Sequence, residues 1–243
     1  MSIYKRVLPV SLPVLILCGT GLLVAVFLYL SISMTEKTLF SKEGPIWVFA
    51  AGMVPGLVVG LMQFILSWAE FSKISKFQKM KVKGILSTRD QEDYYRELIK
   101  GAKKDIQVLG VTASRFVSDF ADSGSSRDDK KVLIAALQRG VSVRILVPAQ
   151  AHLQGNDQSV GFPLAESFFT PLKDQYPNSF QVRYFDNAPI ASVVRVDDDV
   201  VMGPVFTNQK SKHTPAVHAA YDSPLSESYM GHFDDMWPSA RVF

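Results

Sequence analysis

Four histidines, a run of three aspartates and one cysteine are the side chains in this sequence from which nucleophilic, acid–base or metal chemistry is most readily built. His213 and His218 lie close together in a stretch bearing Pro and Lys, while His152 and His232 stand alone. Each reads first as a surface or hydrogen-bonded histidine, because no Cys/His spacing sets up a zinc site and no partner nucleophile sits at a fixed interval. Asp197, Asp198 and Asp199 are adjacent, and three neighbouring carboxylates cannot all aim at one ion without outside ligands, so the triplet reads as a turn. Neither GxxxxGKS/T nor GxGxxG occurs, which removes the usual phosphate-cradling loops. No metal and no cofactor are expected. Cys18 lies within an apolar run, with bulky Leu17 before it, and reads as a membrane-buried thiol rather than a lipidated one.

The elements that would position these groups follow from periodicity. Ser87 or Thr88 caps a helix expected from Arg89 to Lys104, with Tyr94, Leu98 and Ile99 facing inward. A strand follows over Asp105–Gly110, then a Ser/Gly/Asp-rich loop around Asp122–Asp128. The next helix carries Val132, Leu133, Ala136 and Leu137, stops at Gly140 and feeds a strand over Val141–Pro148. Alternating helix and strand imply a mostly parallel sheet with covering helices. Phe162–Tyr176 is helical but split by Pro171. Phe180–Phe185 alternates as a strand. Ile190–Val196 and Val200–Val205 form a hairpin turning on the acidic triplet. Ser223-Pro224 opens a last helix with Leu225, Tyr229, Phe233, Met236 and Trp237 on one face.

The front of the chain is different in kind. Of 243 residues 47% are hydrophobic and 20% charged, and mean hydropathy is positive, which points to contact with lipid. One cysteine excludes an internally stapled scaffold, and a net charge of +3 is too small to mark a nucleic-acid binder by itself. No charge occurs between Val7 and Thr35 or between Ile46 and Ala69. Each run exceeds the roughly 20 residues a helix needs to cross a bilayer. Trp47 and Trp68 frame the second. Spans are expected at about residues 10–32 and 46–68, forming a hairpin over residues 1–69. Lys5 and Arg6 before it and the lysines after it place both termini on the cytoplasmic side of a bacterial inner membrane.

Gly52, Gly56 and Gly60 give overlapping GxxxG motifs, a face for packing within the hairpin or for self-association of chains, and Pro55 permits a kink. Residues 70–83 set Phe71, Ile74, Phe77 and Met80 among lysines. This segment reads as a basic amphipathic helix on the inner leaflet, with Lys73, Lys76, Lys79, Lys81 and Lys83 contacting lipid headgroups. Residues 84–243 form a separate domain, large enough to bury its own core.

Three stretches of that domain together resemble one repeat of the phospholipase D-like fold: Arg139-Gly-Val-Ser-Val-Arg-Ile-Leu-Val147, the hairpin from Val193 to Gly203 with Asn208 after it, and Phe233-Asp-Asp-Met-Trp237. The fold class expected is thus a two-helix transmembrane hairpin followed by a phospholipase D-like mixed α/β sheet. The resemblance implies His-x-Lys-x4-Asp chemistry, in which histidine attacks phosphorus and lysine holds the phosphate charge. Here the histidine position falls on Ile190, the lysine position on Ser192 and the acidic position on Asp197. Neither Ile190 nor Ser192 supplies what the motif needs, and only one repeat is present, so the expectation is a degenerate, non-enzymatic module.

Two spans before a small cytosolic module are also similar to the transmembrane effectors of bacterial anti-phage systems encoded beside retron reverse transcriptases. That resemblance implies a homo-oligomeric effector, held silent by a reverse transcriptase and its DNA–RNA product, that permeabilises or depolarises the inner membrane on release. The alternative reading is a membrane-anchored phospholipase D-like phosphodiesterase, similar to a cardiolipin synthase or a nuclease.

Overall fold

The computed structural model describes residues 18–22, 25–26, 29, 56–68, 79–206 and 209–243. The chain divides into two compact units, Met1–Lys76 and Phe77–Phe243. In the first, the described residues 18–22, 25–26, 29 and 56–68 are helical. Among the described residues no helix is long and apolar enough to cross a membrane. Much of the first expected span and residues 46–55 of the second lie outside them, Gly52 and Pro55 included, whereas Gly56 and Gly60 lie in the helical stretch 56–68.

Eight strands form one sheet in the second unit, in the order β1-β7-β6-β5-β2-β3-β4-β8. They are β1 (Val82–Leu86), β2 (Asp105–Leu109), β3 (Ser142–Pro148), β4 (Phe180–Phe185), β5 (Ala191–Val196), β6 (Asp199–Pro204), β7 (Ala216–Ala220) and β8 (Arg241–Val242). The sheet is mixed, as the expected fold class has it, and not mostly parallel as the helix–strand alternation taken alone implies. Only β2–β3 and β3–β4 pair in parallel. Helical crossovers join those three strands, whereas β5 and β6 form a tight hairpin and β7 returns antiparallel to β6 after a longer connection.

Five helices cover the two faces: α1 (Glu92–Gly101), α2 (Ser114–Phe120), α3 (Val132–Gln138), α4 (Phe162–Gln175) and α5 (Pro224–Met236). The first four pack on one face, where Ile99, Phe120, Leu133 and Phe169 close over Ile106, Val143, Ile145 and Val182. The last alone packs on the other, with Met230 and Phe233 against Leu146, Val193 and Met202. Its start is as expected, Ser223 Oγ accepting from Ser226 N at 3.0 Å.

Several expectations change at the element ends. Helix α1 begins at Glu92 rather than Arg89, because Thr88 Oγ1 accepts from Asp90 N at 2.8 Å in a separate turn. Tyr95 and Ile99 are its buried residues, and Tyr94 and Leu98 are only partly covered. Pro171 lies inside an unbroken α4 and does not split it. The carbonyl it frees belongs to exposed Ser167, while Ala165, Phe169 and Leu172 anchor the turns on either side in the core. Residues 82 and 83, expected as the end of a basic helix, belong to β1. β7 and β8 went unread from the sequence.

Candidate anion-binding cleft

The carboxyl ends of the parallel strands meet the loops after β2, β3 and β4 and the end of β6 around a cleft of about 720 Å3. This is where open α/β sheets commonly take ligands. Gly110–Arg115 enters it after β2, with Ala113 held at φ +57 at the head of α2. His152 and Asn156 enter after β3, Pro189 before β5, and Phe206 with Lys210 after β6.

Arg89 is the group on which the cleft turns. It lines the cavity yet is only 8% exposed, and its Nε and Nη1 are buried without a hydrogen-bond partner. The backbone seats it firmly: Arg89 N donates to Lys212 O at 3.0 Å, and Thr88 Oγ1 donates to the same carbonyl at 3.0 Å. Nη2 donates to Pro204 O at 3.1 Å. No carboxylate pairs with Arg89 among the described residues. Burial draws its pKa down from the ordinary arginine value, with the hydroxyls of Tyr95 and Tyr229 opposing that fall. Tyr95, itself buried, has its pKa pushed up to about 12.

Room for that guanidinium comes from Gly203. A Cβ there would fall inside contact distance of Arg89 Nη2 and 2.7 Å from Pro215 O. Gly203 is the register partner of Ser192, and residues directly opposite one another in an antiparallel pair point to the same face. Arg89 therefore occupies the space above Gly203, beside Ser192, which also lines the cleft. Ser192 is the position where the resemblance calls for lysine, and a cation reaches that neighbourhood from another part of the chain. Other cleft cations are matched: Arg115 pairs with Asp90 and with Asp119 at 3.2 Å, and Lys212 with Asp90 at 3.8 Å. Lys210, by contrast, makes no ion pair among the described residues.

The remaining sequence candidates scatter. Ile190 is exposed and borders a second, smaller cavity of about 330 Å3 together with His232. Asp197 lies beyond the other end of β5, at φ +50, where its carboxylate accepts from Lys103 N, Lys104 N and Asp105 N at 2.8, 2.9 and 3.0 Å. It braces the turn and is remote along β5 from Ser192. His152 lines the cleft, with Nε2 4.0 Å from Asp186 Oδ1. His213 is exposed on a short helical turn. His218 is buried, its Nε2 2.6 Å from Asp199 Oδ1 and its Nδ1 hydrogen-bonded with Tyr94. Lys81 pairs with Asp222 and Lys83 with Asp199, so both engage the domain's own aspartates, and Lys79 is exposed. Lys73, Lys76 and Asn208 lie outside the described residues.

Sequence reasoning missed Arg89 and Lys210. One sequence signal bears on the first, a glycine inside an otherwise apolar strand, which marks close approach by another group.

The unit is thus a mixed α/β sheet domain with an unmatched, buried guanidinium in a cleft at its carboxyl edge. No protein-family model matches the chain, and no curated protein matches it. Among solved structures it is similar to TrmBL2, an archaeal chromatin protein whose structure is described as showing a novel mode of DNA binding, with 13% identity and a TM-score of 0.46 over 80% of this chain and 70% of that one. It is similar to Nuc of Salmonella typhimurium, a phospholipase D family member, with 21% identity and a TM-score of 0.41 over 62% of this chain and 89% of that one. It is also similar to NucT of Helicobacter pylori, with 13% identity and a TM-score of 0.39 over 62% and 89%. The expectation of a non-enzymatic module is corrected on the cleft itself, which sets a buried, unmatched guanidinium beside Ser192, the position where the motif's lysine is missing.

Proposed function

We propose that the cleft binds a phosphodiester and hydrolyses it. The observation that carries this reading is Arg89. A buried guanidinium without a carboxylate is costly, and an anion entering the cleft supplies the missing acceptors. A phosphate oxygen can accept from an unmatched N–H of that guanidinium, and Ser192 adds a hydroxyl donor beside it. His152, the histidine among the cleft's described lining residues, takes a proton from the attacking water. Water oxygen bonds to phosphorus, the bond from phosphorus to the leaving oxygen breaks, and His152 returns the proton to that oxygen. The products are a phosphomonoester and an alcohol. The uncharged runs 7–35 and 46–69 favour a membrane-attached enzyme. The anti-phage effector reading rests on those same runs and on resemblance, and nothing in the cleft adds to it.

The test is release of nitrophenol from bis-p-nitrophenyl phosphate by the purified full-length chain. Arg89→Met should lower turnover by on the order of 100-fold, the scale of losing one preorganised charge donor. His152→Ala should lower it comparably while leaving any rise in melting temperature caused by added inorganic phosphate unchanged. An inactive wild-type chain, or full activity in Arg89→Met, would overturn the proposal.

A further inference from the structure

The second cavity, of about 330 Å3, lies on the side of the sheet that α5 covers. Leu109, Phe185, Ala191 and Met236 line it, and all four belong to or pack against the second core cluster. Packed interiors rarely keep a void larger than a water molecule, and the small side chain of Ala191 leaves one that a longer residue could fill. His232 borders the cavity from α5, and its ring makes no hydrogen bond or ion pair among the described residues. Exposed Asn187 and Ile190 stand at the mouth. Charge separates this cavity from the cleft. No charged side chain lines it, and the charged residues nearest its lining along the chain, Asp186, Asp234 and Asp235, are exposed carboxylates. An anion finds no partner here.

We infer that this cavity binds a small, uncharged aromatic molecule of one or two rings whose N–H or O–H donates to the imidazole of His232. An apolar enclosure with one or two polar groups to fix orientation has the character of a small-molecule site. A void of about 150 Å3 suffices for benzene, so this one has room for two fused rings. Phe185 offers an aromatic partner, the Met236 thioether a sulfur contact, and neutral imidazole one acceptor nitrogen. Ala188 lines both this cavity and the cleft, so the two sites are neighbours across one loop. The site stands whether or not the cleft hydrolyses a diester, because neither Arg89 nor His152 lines it.

The experiment titrates indole into the purified full-length chain, its methionines labelled with carbon-13 at the methyl group, at mildly alkaline pH. The Met236 methyl resonance, identified by its loss in Met236→Leu, should shift and saturate, while that of exposed Met80 stays in place. Indene has the shape of indole without the N–H and should bind about 5-fold more weakly, the weight of one neutral hydrogen bond. His232→Phe keeps a ring at that position and should abolish the preference. Indole-3-carboxylate should bind more weakly than either neutral ring, and inorganic phosphate should not displace indole. A Met236 resonance unmoved at saturating indole, or one that moves in step with Met80, overturns the inference. Equal affinity of the wild-type chain for indole and indene overturns the role of His232, and that comparison needs no variant to fold. Displacement of indole by phosphate would assign its binding to the cleft and likewise overturn the inference.

Discussion

A methyl group at residue 203 tests how Arg89 is seated. Gly203→Ala brings Cβ into Arg89 Nη2 and to 2.7 Å from Pro215 O, and the second of these is backbone that side-chain motion cannot relieve. The expected cost is about 1–3 kcal/mol by urea unfolding, with a parallel loss of diester turnover. Combining it with Arg89→Met should recover little of that stability, because the carbonyl contact stays; full recovery would mean that Arg89 alone sets the space. Asp197 offers a second test with a definite sign. Burial alone would raise its pKa, but the N–H groups of Asp105, Lys103 and Lys104 outweigh it and hold the carboxyl below its ordinary value. A depressed folded value means that its stabilisation is complete above the unfolded aspartate value near 3.9 and disappears as the pH falls through the lower, folded one. Asp197→Asn should therefore unfold more readily than the parent at neutral pH, by about 2 kcal/mol, and the two should converge in acid. A constant gap down to the lowest pH would show that the carboxylate's charge is not what braces the turn.

Among the elements, β1 depends most on side-chain ties. It is an edge strand, paired to β7 alone with a register shift between Val82 and Gly84. Its Lys83 reaches Asp199 on β6, which also meets His218 on β7, whose other ring nitrogen bonds Tyr94 on α1. Burial works against the Asp199 charge, yet the hydrogen bonds from Lys83 and His218 hold its pKa below the ordinary value. Lys83 is partly solvated, so Lys83→Met should cost less than about 1 kcal/mol. Asp199→Asn removes the carboxylate from buried His218 as well and should cost about 2–3 kcal/mol. Equal losses from the two substitutions in thermal unfolding would contradict this ranking. The same element shows where sequence patterning stopped. Phe71, Ile74, Phe77 and Met80 recur at helical spacing, a period that predicts helix through Lys83. The chain turns at Lys81, φ +50, a conformation no residue pattern announced. The hairpin of β5 and β6, the helix capped by Ser223 and the stop at Gly140, φ +86, were legible because each is written in adjacent residues.

At the scale of the molecule, the cleft was illegible for a complementary reason. Arg89 meets Gly203, Pro204 and Pro215 only after β6 and β7 are laid beside β5, so its role depends on contacts between residues more than a hundred positions apart. Local spacing finds Ser192 and Ile190 and misses the cation that reaches the same space. Among the described residues, the groups that close the core of residues 77–243 lie within that unit. Both core clusters fall between Leu86 and Phe243, and every strand of the sheet lies within the unit. Its first face is closed by α1 to α4 and its second by α5, whose Phe233 stacks on Trp237 while Arg144 and Arg183 lie over the indole. A core closed on both faces within one segment can unfold as a single cooperative step. The segment Phe77–Phe243, produced without the residues before it, is accordingly expected to give one sigmoidal urea transition that coincides by circular dichroism and tryptophan fluorescence. It should bind no anilinonaphthalene sulfonate before that transition. A sloping transition with early dye binding would show that β1 or the second face needs residues before Phe77 to be held in place, and the two units would then have to be treated as one folding unit.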